Sequence, residues 1–178
     1  MGHNKICTCR AGGVGEAKTA GNYAASLYAT NLAQQDGYTQ VLWLDGVELK
    51  YVEEVGSMNI FFVIGDELIT PELNRSILAG VTRDSVIRLA ESWGIKVVER
   101  KISIDEVYSA HADGSLKEVF GSGTAAVISP VGDIKFDGRE ITVGDGSVGP
   151  LAARFFEDLT AIQYGKAEDP FGWIVPVR

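Results

Sequence analysis

Ile60-Phe61-Phe62-Val63-Ile64 is the longest unbroken apolar run in the chain, and Gly65-Asp66 directly behind it marks a turn. Five β-branched and aromatic residues in a row suit a buried strand and are far too few to span a bilayer. With its flanks the run predicts a strand over 57–65 centred on Phe61. Glu67 to Thr70 reads as a shorter strand returning from the turn, ended by Pro71. A strand of this kind has to be covered by other elements.

The rest of the chain supplies them. From Asn22 to Gln35 apolar residues recur at helical spacing (Tyr23, Leu27, Tyr28, Leu32), and Gly37 stands where a helix would stop. Gln40–Asp45 is a compact strand ending in Asp45-Gly46, and the strand-like Tyr51–Val55 behind it suggests a hairpin. Gly80 to Asp84 leads into an amphipathic helix through Val86, Ile87, Leu89, Ala90 and Trp93, stopped by Gly94. Ile95 to Ile102 reads as a strand. Ser103 to Ala112 reads as a helix in which Ser103 and Glu106 form a capping box. Residues 119–131 are apolar around Gly121-Ser122-Gly123-Thr124, two short strands flank Asp137-Gly138, and a last helix runs from Pro150 to Tyr164. The expectation is an α/β chain: one domain in which a mixed sheet is flanked by helices. There is no internal repeat or low-complexity linker.

Charge narrows the function. A net charge of −8 without a basic cluster argues against nucleic acid and against anionic membranes, both of which would repel the surface. The first residues lack the apolar centre of a signal peptide, so the expected location is cytoplasmic. Cys7 and Cys9 are spaced C-x-C, which is neither a disulfide framework nor a C-x-x-C site, and His3 and His111 are isolated, so no metal site is expected. Residues 1–10 show no usable periodicity.

The chemistry is concentrated in Gly12-Gly13-Val14-Gly15-Glu16-Ala17-Lys18-Thr19-Ala20-Gly21-Asn22-Tyr23. Lys18 stands among small residues, which let a backbone approach a ligand closely. Two kinds of site use such a lysine. A phosphate-binding loop, G-x-x-x-x-G-K-[ST], is matched from Gly12 to Thr19 except at Ala17, where its second glycine belongs, and Asp45 would be the acid that holds magnesium. The other use is a lysine that condenses with an aldehyde, its amine partly desolvated so as to be neutral near pH 7.

Pyridoxal phosphate is the cofactor that the second reading suggests, and it also needs a partner for its ring nitrogen, a donor for its phenolic oxygen and a cup for its phosphate. Glu54, beside Gly56, offers the first and Tyr23 the second. Gly80-Val81-Thr82 at a helix start, with amides from Gly121 to Thr124, offers the third. Each has a plainer reading when taken alone: a solvated strand carboxylate, a core-edge aromatic, an N-cap at Thr82 and a tight turn.

Lys18-Thr19-Ala20-Gly21-Asn22-Tyr23, Val41-Leu42-Trp43-Leu44-Asp45, Glu54-Val55-Gly56-Ser57-Met58-Asn59-Ile60-Phe61, Leu78-Ala79-Gly80-Val81-Thr82-Arg83-Asp84, Phe120-Gly121-Ser122-Gly123-Thr124-Ala125-Ala126 and Ile162-Gln163-Tyr164-Gly165 together resemble branched-chain amino-acid aminotransferases in content, order and spacing. These are fold-type IV pyridoxal-phosphate enzymes, and the resemblance runs from Gly12 to the C-terminus. It implies their large domain, a mixed α/β fold with a partly barrel-like sheet. It implies that Lys18 is the Schiff-base lysine and later the proton shuttle, that Tyr23 contacts the phenolic oxygen, and that Glu54 rather than Glu53 meets the ring nitrogen. Val81, Thr82 and Thr124 would bind the phosphate, and Thr124 and Ala125 would lie where the substrate carboxylate docks. Some relatives carry a C-x-x-C redox pair at positions occupied here by Ala126 and Ser129, so no redox switch is expected.

The implied reaction passes the amino group of leucine, isoleucine or valine to 2-oxoglutarate by way of the cofactor. Family members carry an N-terminal domain ahead of this stretch. Residues 1–11 are therefore unassigned, 12–178 are expected to be the cofactor-binding domain, and the family's N-terminal domain is expected to be absent. That leaves a homo-oligomer or a partner bearing the missing domain as the expected assembly. It also leaves two alternatives for function, a cofactor-binding domain without turnover and, more remotely, a phosphate-loop nucleotide-binding protein.

Overall fold

The Ile60–Ile64 run forms most of a central strand, β3 (Met58–Ile64), in which Ile60, Phe61 and Phe62 have no solvent exposure. The computed structural model describes residues 13–177. His3, Cys7, Cys9, the rest of the opening segment, Gly12 and Arg178 lie outside the described residues. Before β3 come α1 (Ala20–Gln35), β1 (Leu42–Leu44) and β2 (Val52–Val55). After it come β4 (Glu67–Thr70), α2 (Val81–Ser92), β5 (Lys96–Glu99), α3 (Ile104–Ala112), β6 (Leu116–Gly123), β7 (Val127–Pro130), β8 (Asp133–Phe136), β9 (Arg139–Thr142) and α4 (Pro150–Gln163).

One edge of β3 pairs with β6, while the other is shared by β2 at its start and β4 at its end. The sheet continues outward to β1, β5 and β7, and among the described residues only β4 and β5, joined through α2, run parallel. Side chains alternate along β3. Ile60 and Phe62 enter one core with Val52, Ile69, Ile102 and Val107 of α3, and Phe61 enters a second with Val86 of α2 and Phe155 of α4. In the second core Phe61 stacks on its ladder partner Phe120 with ring centroids 5.3 Å apart. The barrel-like tendency takes a limited form. The segment after β5 returns to the start of β2 through Val52 N–H to Ile102 C=O and Ile104 N–H to Lys50 C=O, both 2.9 Å, and an isolated bridge, without closing a barrel.

Two local details go beyond the sequence reading. On α1, Tyr23, Leu27, Tyr28 and Leu32 are all exposed and spread over about half of the helix circumference, and Ala29 is the buried residue of this helix. At α3 half of the capping box forms. Ser103 Oγ accepts from Glu106 N–H at 3.1 Å, but the Glu106 carboxylate pairs with Arg100 instead of reaching back.

Candidate active site

The loop before α1 is pinned at two points. A methyl group on Gly15 would fall 2.2 Å from the carbonyl oxygen of Ser76, so only glycine lets this backbone lie against the 71–80 loop. Asn22, in the first turn of α1, donates from Nδ2 to the carbonyls of Val14 (2.8 Å) and Ala17 (3.1 Å). Lys18 thus projects from a fastened backbone, exposed, and its Nζ donates to the phenol oxygen of Tyr23 at 2.9 Å.

Tyr23 lines a cleft with Ser26, Trp43, Glu54, Ser57 and Leu78. Strand register brings Glu54 there, because on β2 it is the ladder partner of both Trp43 and Asn59, and ladder partners share a face. Trp43 is fixed by Nε1–H donating to the Gly56 carbonyl at 2.8 Å. Burial pushes the Glu54 carboxyl up to about 7, and the neighbouring Glu53 charge adds to this, against a lowering by the Leu78 backbone N–H. Glu53 points to the opposite face, where it is buried and accepts from Asn74 Nδ2 (3.1 Å) and from Ser76 Oγ.

The other expected site residues stand outside the residues lining this cleft. Val81 and Thr82 open α2, whose N-cap Gly80 provides no side-chain acceptor. In contrast, the first turn of α3 has Ser103, and the Leu151 and Ala152 N–H groups of α4 donate to the buried Glu118 carboxylate at 3.0 and 2.9 Å. Among the described residues no side chain accepts from the opening N–H groups of α2, and the helix dipole at such an end favours an anion. Thr124 and Ala125 are exposed in the turn between β6 and β7. The two regions are connected by Asn59, the neighbour of Glu54 in the ladder and on its other side the partner of Ser122, two residues before Thr124.

Arranged in this way are a lysine amine beside a phenol, a half-buried carboxyl pushed up to about 7 by desolvation, and a helix start without a side-chain cap. The amino-transferase class IV family model matches residues 12–134. This chain belongs to that family. Among class IV relatives, branched-chain-amino-acid transaminase 1 of Bacillus subtilis (strain 168) is 61% identical over 166 residues, which are 93% of this chain and 47% of that protein. The T.th. branched-chain amino acid aminotransferase, solved in complex with N-(5'-phosphopyridoxyl)-L-glutamate, superposes with a TM-score of 0.81 at 34% identity, covering 97% of this chain and 54% of that one. The same enzyme solved with 4-methylvaleric acid gives 0.80 at 34% identity, with coverages of 95% and 53%. The chain spans about half the length of the curated relatives it matches.

Class IV membership and the local geometry both go against the phosphate-loop alternative. Asp45 is not free to hold magnesium. Burial opposes its ionisation, but the N–H groups of Tyr51, Lys50, Glu48 and Val47 outweigh this and hold the carboxyl at about 2. Asp45 is the acceptor around which the β1–β2 turn is wound. Residue-level reading gave no role to Asn59, Leu78 or Asn22, whose contacts lie 5 to 19 residues away. The one available signal was position, since each of the three stands inside a motif quoted above: Asn22 in Lys18–Tyr23, Asn59 in Glu54–Phe61 and Leu78 in Leu78–Asp84.

Proposed function

We propose that the chain is the cofactor-binding part of a branched-chain amino-acid aminotransferase that uses pyridoxal 5'-phosphate. The observation that carries this reading is the Lys18 Nζ to Tyr23 Oη bond, with Tyr23 lining the same cleft as Glu54. The residues present suit the group. Lys18 supplies the amine for its aldehyde, Tyr23 a hydroxyl for its phenolic oxygen, and Glu54 a carboxyl for its ring nitrogen. Val81 and Thr82 supply free helix-start amides, and Thr124 a hydroxyl, for its phosphate. When bound, the cofactor supplies an electron-withdrawing ring that stabilises negative charge at the substrate α-carbon.

The protein's own groups do the rest. Lys18, held by its loop, would take the proton from the substrate α-carbon onto Nζ and hold it there for return to the reacting group. Glu54 meets the ring nitrogen as a charged partner, and a nearby positive charge draws the carboxyl below its cofactor-free value. Thr124 and Ala125 offer a hydroxyl and backbone groups to the substrate carboxylate. The substrates are inferred from relatives. The T.th. enzyme was solved with a pyridoxyl-glutamate adduct and with 4-methylvaleric acid, one of them carrying glutamate and the other a branched aliphatic acid. The proposed substrates are accordingly leucine, isoleucine and valine, with 2-oxoglutarate as acceptor.

A second reading follows from length and exposure. The chain covers 47% of the Bacillus subtilis relative, and Lys18, Tyr23, Thr124 and Ala125 are all exposed. On this reading the chain holds the cofactor but turns over slowly until a further domain or a second copy covers the cleft. Loading the protein with pyridoxal phosphate and adding each branched-chain amino acid without acceptor separates the two readings. One equivalent of 2-oxo acid per bound cofactor is expected, with little from D-alanine. A loaded protein that releases none supports the second reading, and a protein that cannot be loaded contradicts both.

A further inference from the structure

Asn59 is 6% exposed and lies between two parts of the site that are far apart in sequence. Its Nδ2 donates to the Leu78 carbonyl at 2.9 Å and approaches Glu54 Oε1 at 3.5 Å, a strong bond to the first and a long contact to the second. Its Oδ1 presses on the start of α2 so closely that a methyl group on Gly80 would lie 2.2 Å from it. One amide therefore touches the carboxylate strand, the 71–80 loop and the N-cap of the helix.

We propose that Asn59 is a positioning residue that clasps the Glu54 carboxylate to the N-terminal turn of α2, fixing the spacing between the ring-nitrogen partner and the anion cup. The proposal rests on the cofactor reading given above. A rigid ligand with a ring nitrogen at one end and a phosphate at the other is gripped well only if its two partners keep their distance, and loop 71–80 has no strand or helix of its own to enforce that. The titratable groups around Glu54 are Glu53 on its own strand and Tyr23 from α1, with Lys18 bonded to Tyr23. The loop and β3 add none at the contact.

Two variants disturb the clasp from opposite ends. Asn59→Asp keeps the shape but replaces the donor with a carboxylate. Gly80→Ala leaves Asn59 in place and pushes its amide away. The titration midpoint of Glu54 in the cofactor-free protein is read by 13C NMR of the side-chain carboxyl, assigned by its loss in Glu54→Gln, and binding of inorganic phosphate is read by calorimetry. Both variants should raise the midpoint, Asn59→Asp by about one unit. Both should weaken phosphate binding by about tenfold, and the wild-type midpoint should move when phosphate is added. Circular dichroism confirms that each variant is folded. If only one variant folds it decides alone, and if neither does the wild-type response to phosphate decides. A Glu54 midpoint that stays at its wild-type value in a folded variant, or does not respond to phosphate in wild-type protein that binds it, overturns the clasp. Wild-type protein that binds neither phosphate nor pyridoxal phosphate would instead overturn the cofactor reading, leaving the clasp to be judged on the Glu54 midpoint in the variants.

Discussion

Lys18 and Tyr23 meet at their side-chain tips, with Nζ 2.9 Å from the phenol oxygen across five residues in which a loop turns into α1. The contact requires the loop to be fastened, which Gly15 against Ser76 and Asn22 against Val14 and Ala17 achieve. Tyr23→Phe removes the oxygen and keeps the ring. It should weaken retention of pyridoxal phosphate by about five- to tenfold, the scale of one hydrogen bond. Absorbance titration with the cofactor checks this, and Tyr28→Phe on the same helix, with its side chain exposed, should leave retention unchanged.

The Glu54 carboxyl predicts an unusual dependence of stability on pH in the cofactor-free protein. Its folded-state value of about 7 lies above the ordinary 4.5 because burial penalises the charge. Below about pH 4.5 the group is protonated in both states and no penalty exists. As pH rises from there to about 7 the unfolded chain ionises first, and stability falls by about 3 kcal/mol before levelling off. Glu54→Gln should therefore be more stable than wild type in urea at pH 8, and the difference should shrink towards pH 4.

Glu118 carries a different kind of weight. Its buried carboxylate receives the Leu151 and Ala152 N–H groups at the start of α4, a helix that places Phe155 against Phe120. Glu118→Ala leaves two buried donors unsatisfied and should cost about 2–4 kcal/mol in chemical denaturation, with the amides of α4 losing protection in hydrogen exchange. Gly149→Ala should be similarly harmful, because its methyl group would fall 2.2 Å from the Glu118 carboxyl carbon.

Residues that act through near neighbours were legible in the sequence. β3 showed in its apolar run, α3 in Ser103, and the β8–β9 hairpin in Asp137-Gly138. Alternation along β2 separated Glu53 from Glu54, but parity says nothing of what covers each face. Both carboxylates are well enclosed because the 71–80 loop, about 20 residues downstream, reaches them with Asn74 and Ser76 on one side and Leu78 on the other. Asn59 was hidden for the same reason, since its partners Leu78 and Gly80 are set by tertiary packing. Helix α1 shows the same limit: its helical spacing was legible, but that Tyr23, Leu27, Tyr28 and Leu32 stay exposed while Ala29 is buried is decided by packing alone.

The central claim is that Lys18 takes the cofactor, and covalent labelling tests it most directly. The protein is mixed with pyridoxal phosphate, reduced with borohydride, digested and mapped by mass spectrometry. The predicted result is a single phosphopyridoxyl group on the peptide containing Lys18, with visible absorbance before reduction that is absent in Lys18→Ala. A label on any other lysine, or undiminished labelling of Lys18→Ala, would contradict the account.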